Sequence, residues 1–104
     1  MINYTEFEQY GLKRIMEVLS GKWKPLILHH LFHEKEIRFI ELWRKMSRVS
    51  KKVLLEQLQQ MQEHRIVERI ERNDFPPQVA YQLHPDTKSL GTALHMLEKW
   101  GAYR

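Results

Sequence analysis

Apolar residues recur along this chain with two different periods, and the place where the period changes divides it. From about Thr5 to Leu19, residues Leu12, Ile15, Met16 and Leu19 share one side of a helix, the 3.6-residue repeat of an amphipathic segment. Ser20-Gly21 interrupts that pattern, glycine being common just past a helix C-terminus. A second helix is predicted to begin close to Pro25, because a first helical turn accepts proline without losing an N–H bond. Its Leu26, Ile27, Leu28, Leu31 and Phe32 make it apolar enough for a central core helix. A third helix, roughly Phe39 to Met46, spaces Phe39, Leu42 and Met46 at i, i+3 and i+7. Ser47-Arg48-Val49 separates it from a fourth that Ser50 is suited to cap. That fourth helix runs to about His64, with Leu54, Leu58 and Met61 as its inner stripe. Two short helices joined by three or four residues, the second polar on its outer side, form a helix-turn-helix pattern over about 39–64.

After Arg65 the period becomes two. Ile66 to Arg72 is rich in β-formers, Asn73-Asp74-Phe75-Pro76-Pro77 is a turn by composition, and Val79, Tyr81 and Leu83 alternate with Gln78, Ala80 and Gln82. A hairpin over about 66–84, directly after a helix-turn-helix, is placed as a wing. The last segment, about 86–103, is helical again. Leu90, Ala93, Leu94, Leu97 and Trp100 line one side, while Met96 and Tyr103 widen the apolar arc beyond the stripe of about 100° that one core contact needs. The surplus predicts a second apolar partner. A twofold copy of the chain is the simplest candidate; the alternative is that the surplus covers the N-terminal helix of the same chain. The expected fold class is therefore α+β, mainly α: one winged helix-turn-helix domain over residues 1–104, with a two-stranded β-hairpin wing. Terminal dimerisation helices fall at about 5–20 and 86–103, and Leu12, Ile15, Met16, Leu94, Leu97, Trp100 and Tyr103 are expected at the dimer interface.

Composition and charge narrow the partner. The 104 residues begin at Met1 and are 42% hydrophobic, which reads as a whole single-domain protein. No run approaches the roughly 18 apolar residues of a membrane span, and no basic-then-apolar leader opens the chain; a cytoplasmic protein without a membrane partner is expected. The chain has no cysteine, so disulfides, thiolate metal sites and thiol switches are excluded within it. The net charge of +4 favours an anionic partner. Its distribution says more, for Leu42 to Leu55 contains no acid yet carries Arg44, Lys45, Arg48, Lys51 and Lys52. Just upstream, Glu34, Lys35, Glu36 and Arg38 mix the signs as an ordinary solvated face does.

At about 100° per residue, the side of the fourth helix opposite Leu54, Leu58 and Met61 presents Lys52, Leu55, Glu56, Gln59 and Gln60, with Lys51 on the flank. A major groove admits one helix, whose N-terminal residues reach the base edges. Lysine can donate to guanine, glutamine can pair with adenine, leucine can pack on a thymine methyl and glutamate can accept from cytosine. Arg44, Lys45 and Arg48 are expected at phosphates, Arg38 joins them, and Ser50 can serve phosphate and cap alike. Arg69, Arg72, Asn73 and Gln78 are the wing's candidates for backbone or minor groove. A plain solvated surface is the alternative, and the helix-turn-helix with a wing behind it favours double-stranded DNA.

Other chemistries are weaker. His29 and His33 lie one helical turn apart, but a closed metal site wants three or four ligands, and no HExxH motif or cysteine partners them. They read as surface or core histidines, and no metal or cofactor is expected. With no glycine-rich phosphate loop and no nucleophile motif, an enzyme is not expected either. Single-stranded RNA would favour an exposed aromatic platform, which is not evident. A dimeric winged-helix adaptor that binds protein without specific DNA binding is the remaining alternative, against which the basic run from Arg44 to Lys52 argues. Trp23, Trp43, Trp100, Tyr10 and Tyr103 are large enough to line a pocket for an unknown small-molecule effector between dimer helices, although aromatics at helical spacing are more often core.

The ordered residues resemble the HxlR-type winged-helix transcriptional regulators of prokaryotes, a MarR-like group. The matching pieces are Gly21-Lys22-Trp23-Lys24 with Leu26-Ile27-Leu28, then Arg38-Phe39 with Glu41-Leu42, then Ser50, Lys52, Leu54, Leu58 and Ile66-Val67-Glu68-Arg69. Pro77, Val79, Tyr81 and Leu83 follow, then Ser89-Leu90, Leu94, Leu97 and Trp100-Gly101, so the likeness spans about Tyr10 to Gly101. The resemblance implies a homodimer joined by its terminal helices, with two recognition helices in successive major grooves of an inverted-repeat operator. It implies a repressor or an activator, in a group some of whose members answer aldehydes, oxidants or other stress signals. Several members sense through a cysteine at the start of the first helix, where this chain has Tyr10. Arg65 stands where a helix-ending glycine is usual, and His84-Pro85-Asp86-Thr87 replaces a common Thr-Glu-Leu-Gly type of turn.

Overall fold

Both periods are realised in the computed structural model, which describes residues 6–73 and 76–104. Helix α1 spans Glu6–Val18, α2 Lys24–His33, α3 Phe39–Lys45, α4 Lys51–Glu63 and α5 Lys88–Ala102. Strands β1 (Ile37–Arg38), β2 (Val67–Arg72) and β3 (Gln78–Leu83) complete the fold, with one turn of 3-10 helix at Pro85–Thr87. Thr5, Asp74 and Phe75, which the sequence assigned to the first helix and to the hairpin turn, lie outside the described residues. No helix among those residues is long and apolar enough to cross a membrane.

The hairpin is antiparallel, with Val67 opposite Leu83 and Arg72 opposite Gln78. The sheet has a third strand that the two-stranded expectation lacked. β1 pairs with β3, Ile37 opposite Tyr81 and Arg38 opposite Ala80, giving the order β1-β3-β2. Two residues are too few to show a period, so only their partner in space identifies them as a strand. Ile37 is fully buried there, and the pairing fixes the start of α3 against the base of the wing.

The core gathers around α4. Leu54, Leu58 and Met61 are wholly buried, as are Ile27, Ile37 and Leu42, with Leu28, Leu31, Phe39, Met46, Val49, Ile66, Val67 and Tyr81 packed about them. Leu26, expected in the core with the rest of its helix, is exposed instead. The α2 and α5 helices approach closely at Gly91, where a Cβ would run into the Phe32 ring. The α5 start is pinned by the His84–Thr87 turn: the His84 amide donates to the Ile66 carbonyl (2.8 Å), and the Thr87 hydroxyl lies 2.6 Å from the His84 carbonyl and 3.1 Å from that of Ile66.

Local signals end α1 and bound α4 on both sides. Gly21 adopts φ +87° after α1, a conformation that costs glycine little. Ser50 caps α4, its Oγ accepting from the Val53 amide at 3.1 Å. At the other end Arg65 sits at φ +58°. Its amide donates to the Gln62 carbonyl (2.9 Å) and the Ile66 amide to that of Met61 (2.9 Å), the paired bonds of a Schellman ending. Arginine thus holds a left-handed position that glycine would take without Cβ strain of about 1–2 kcal/mol. Replacing Arg65→Gly is expected to raise the unfolding free energy by about 0.5–1 kcal/mol, the strain relieved less glycine's extra freedom when unfolded. Urea denaturation showing no gain would contradict a strained arginine at that position.

Candidate nucleic-acid interface

Burial of the α4 stripe turns Lys51, Lys52, Leu55, Glu56, Gln59 and Gln60 outward, where all six are exposed. The turn before them is rigid. The Trp43 indole donates to the Val49 carbonyl at 3.0 Å, the Val49 amide donates to the Met46 carbonyl at 3.1 Å, and both Met46 and Val49 are buried. These contacts fix where the N-terminus of α4 points, and its first amides and helix dipole form a natural place for an anionic group.

Between α4 and the wing runs a groove of about 550 Å³ that joins residues from five elements. Arg38 of β1, Arg44 of α3, Lys51 and Leu55 of α4, Arg69 of β2 and Gln78 of β3 all border it. Four cations converge there although the sequence scatters them over thirty-two positions, from 38 to 69. Glu41 and exposed Ile40, also on its wall, were not among the candidates; the outward face of α3, read at the helical period, would have suggested them. Tyr81 lies at the floor of the groove. Burial pushes its phenol above the ordinary range, with Arg69 opposing, so the hydroxyl stays protonated.

The remaining candidates lie outside that groove. Lys52, Glu56 and Gln59 continue along α4, and Arg48 is exposed in the turn. Several cations already have anionic partners. Lys45 pairs with Glu34 at 2.9 Å, Arg69 pairs with Glu71, and Arg72 reaches from the wing to Glu36, which lies between α2 and β1. These side chains are part-exposed, so each pair contributes at most about 1 kcal/mol and is readily exchanged for another anion. Asn73, at the end of β2, is exposed.

Exposed apolar side chains outside this groove lie on α1 and α5. Leu12 (63%), Met16 (55%), Leu97 (59%), Trp100 (62%) and Tyr103 (88%) are exposed, as are Tyr10 and Met96, while Ile15 is half-buried. Leu94 is the correction: it turns inward and joins the protomer's own core. The five aromatics proposed to line an effector pocket do not converge within the protomer. Trp43 is tied to the α3–α4 turn, Trp23 packs against the core, and Tyr10, Trp100 and Tyr103 stand exposed. The His29/His33 pair, set aside as metal ligands for want of a partner, meets Glu98 across the α2–α5 contact.

Comparison with known proteins settles the lineage. Residues 18–104 match the family model described as HxlR-like helix-turn-helix. The chain belongs to the HxlR-like helix-turn-helix family. Among relatives of this HxlR-like chain is an HTH-type transcriptional regulator of Bacillus subtilis named YtcD, 42% identical over 92 residues, covering 88% of this chain and 72% of the relative. MalR of Fusobacterium mortiferum, named a regulatory protein, is 35% identical over 103 residues and covers 97% of both chains. A transcriptional regulator of the MarR family from Enterococcus faecalis V583 superposes with a TM-score of 0.82 at 29% identity, covering 99% of this chain and 91% of the other. The resemblance read from the residues is thus borne out, as is the mainly helical winged fold.

The cap at the head of α4 is the feature of this HxlR-like interface most open to direct measurement. Ser50→Ala is expected to lower the unfolding free energy by about 1 kcal/mol, while Ser50→Asp keeps most of it. Equal stability of the Ala and Asp variants in thermal unfolding would mean that the hydroxyl does not hold the helix end.

Proposed function

We propose that this protein binds double-stranded DNA sequence-specifically as a symmetric homodimer and thereby regulates transcription in the cytoplasm. The observation that carries the reading is the convergence of Arg38, Arg44, Lys51 and Arg69 on the groove between α4 and the wing. A phosphate backbone following that groove would place α4 in the adjoining major groove. Lys52, Leu55, Glu56 and Gln59 would then face base edges, and Arg48 with the α4 N-terminus would face phosphate. Lys45, Arg72 and Arg69 would exchange their glutamate partners for phosphates, and Asn73 and Gln78 would follow the backbone at the wing. The reading assigns no catalytic step.

The exposed apolar surface on α1 and α5 supports the dimer. A stable interface buries roughly 1,200–2,000 Å² in total, and Leu12, Met16, Leu97, Trp100 and Tyr103 offer large side chains for its centre, with Ile15 beside them. A twofold axis there would direct the two α4 helices at successive major grooves about 34 Å apart.

Selection of bound duplexes from a random library by the purified protein is the primary test. An enriched inverted repeat is the expected outcome; absence of any enriched sequence overturns the reading and favours the protein-binding adaptor. On the selected site, Arg44→Ala with Lys51→Ala is expected to reduce the slope of log affinity against log salt by nearly two, about 0.9 for each phosphate left without its cation. An unchanged slope removes these residues from the interface. Leu97→Glu with Trp100→Glu is expected to convert a dimer to monomers in sedimentation equilibrium, with a loss of operator affinity. A variant that sediments like the parent chain refutes the α5 interface.

A further inference from the structure

Across the α2–α5 contact, four side chains with metal-binding atoms face one another. His29 and His33 stand one turn apart on α2, and His95 and Glu98 nearly one turn apart on α5. His29 Nδ1 lies 2.6 Å from Glu98 Oε1, while His33 Nε2 and His95 Nδ1 lie 4.0 and 3.7 Å from Glu98 Oε2. One ligand atom from each of His29, His33 and Glu98 can be chosen so that all fall within 4.8 Å of one another. The His95 ring is next to that of His33, centroids 5.8 Å apart, and its Nδ1 is shut off from solvent without a hydrogen-bond partner.

The chemistry of this set is selective. Ligands about 2.0–2.2 Å from a shared tetrahedral ion stand roughly 3.3–3.6 Å apart, so the His29–Glu98 contact at 2.6 Å has to open while the wider spacings, within 4.8 Å among His29, His33 and Glu98, have to close. Side chains that are 35–46% exposed have the rotamer freedom to do so, and the same exposure gives an ion its way in. Imidazoles with one carboxylate suit the late first-row metals, whereas calcium and magnesium call for oxygen ligands.

We propose that His29, His33 and Glu98, with His95 as the fourth ligand, form a site for a late first-row divalent cation, Zn2+ by preference, that joins α2 to α5. The site is independent of DNA binding. An ion there ties α2 to the stretch of α5 that also carries Leu97 and Trp100, and so fixes that end of α5 against the rest of the protomer.

The test uses the full chain without a histidine tag, stripped of metal by a chelator and titrated with zinc chloride in a calorimeter above the imidazole range. One ion per protomer is expected, together with a raised melting temperature and, for Co2+, the strong visible absorption of a four-coordinate complex. Mg2+ should do neither. Groups that merely orient a ligand are worth about 10–100-fold in affinity, so Glu98→Gln and His33→Ala, each losing a ligand, should weaken zinc binding by about a hundredfold. His64→Ala, at the exposed C-terminus of α4, should leave it unchanged, and circular dichroism shows whether each variant is folded. No saturable zinc binding, an equal response to Mg2+, or zinc binding undiminished in folded Glu98→Gln and His33→Ala would overturn the site.

Discussion

Burial of Leu54, Leu58 and Met61 fixes the rotation of α4 about its own axis, and the arrangement of the interface follows from it. All three side chains are fully removed from solvent, which contributes roughly 1.5–3 kcal/mol each. A turn of the helix by one residue would lift them out and press two glutamines, Gln57 with Gln60 or Gln59 with Gln62, towards the core. Desolvating such groups without partners carries a further cost, so the polar face has a single orientation. The Ser50 cap and the Schellman ending at Arg65 then fix where the helix starts and stops, and Trp43 fixes the turn that leads into it.

The same core leaves two surfaces unsatisfied for opposite reasons. At the groove beside the wing, cations from separate elements accumulate without enough acids to balance them. Glu41 stands on its wall and Glu71 pairs with Arg69, while outside the groove Lys45 and Arg72 form part-exposed pairs with Glu34 and Glu36. Such pairs keep long side chains oriented without binding them strongly. On α1 and the outer part of α5 the excess is apolar. Leu12, Met16, Leu97, Trp100 and Tyr103 all stand exposed there.

The contact between α2 and α5 is the third place where pieces far apart in the chain are held together. Gly91 lets the helices approach against Phe32, and that closeness brings Glu98 to His29. A bulkier residue at position 91 would hold the helices apart and disperse the ligand set, so the packing and the candidate metal chemistry share one geometric cause.

Much of this was legible in the residues themselves because it depends on neighbours in the chain. The 3.6-residue stripes of α3 and α4, the serine before α4, the glycine after α1 and the alternation of Val79, Tyr81 and Leu83 are local signals, and each element formed where it was read. The outward face of α4 followed from the same period. The tertiary structure decided what local periodicity cannot carry. It made Ile37–Arg38 a strand, since two residues have no period and a strand exists only through its partner. It drew Leu94 into the core and left Leu26 out, because a stripe on a helix does not say which neighbour will cover it. It occupied Arg69 and Arg72 with glutamates, and it supplied His29 and His33 with Glu98, sixty-nine residues from His29. Sequence sets which side of each element avoids water; only the packing of one element on another determines which side chains meet.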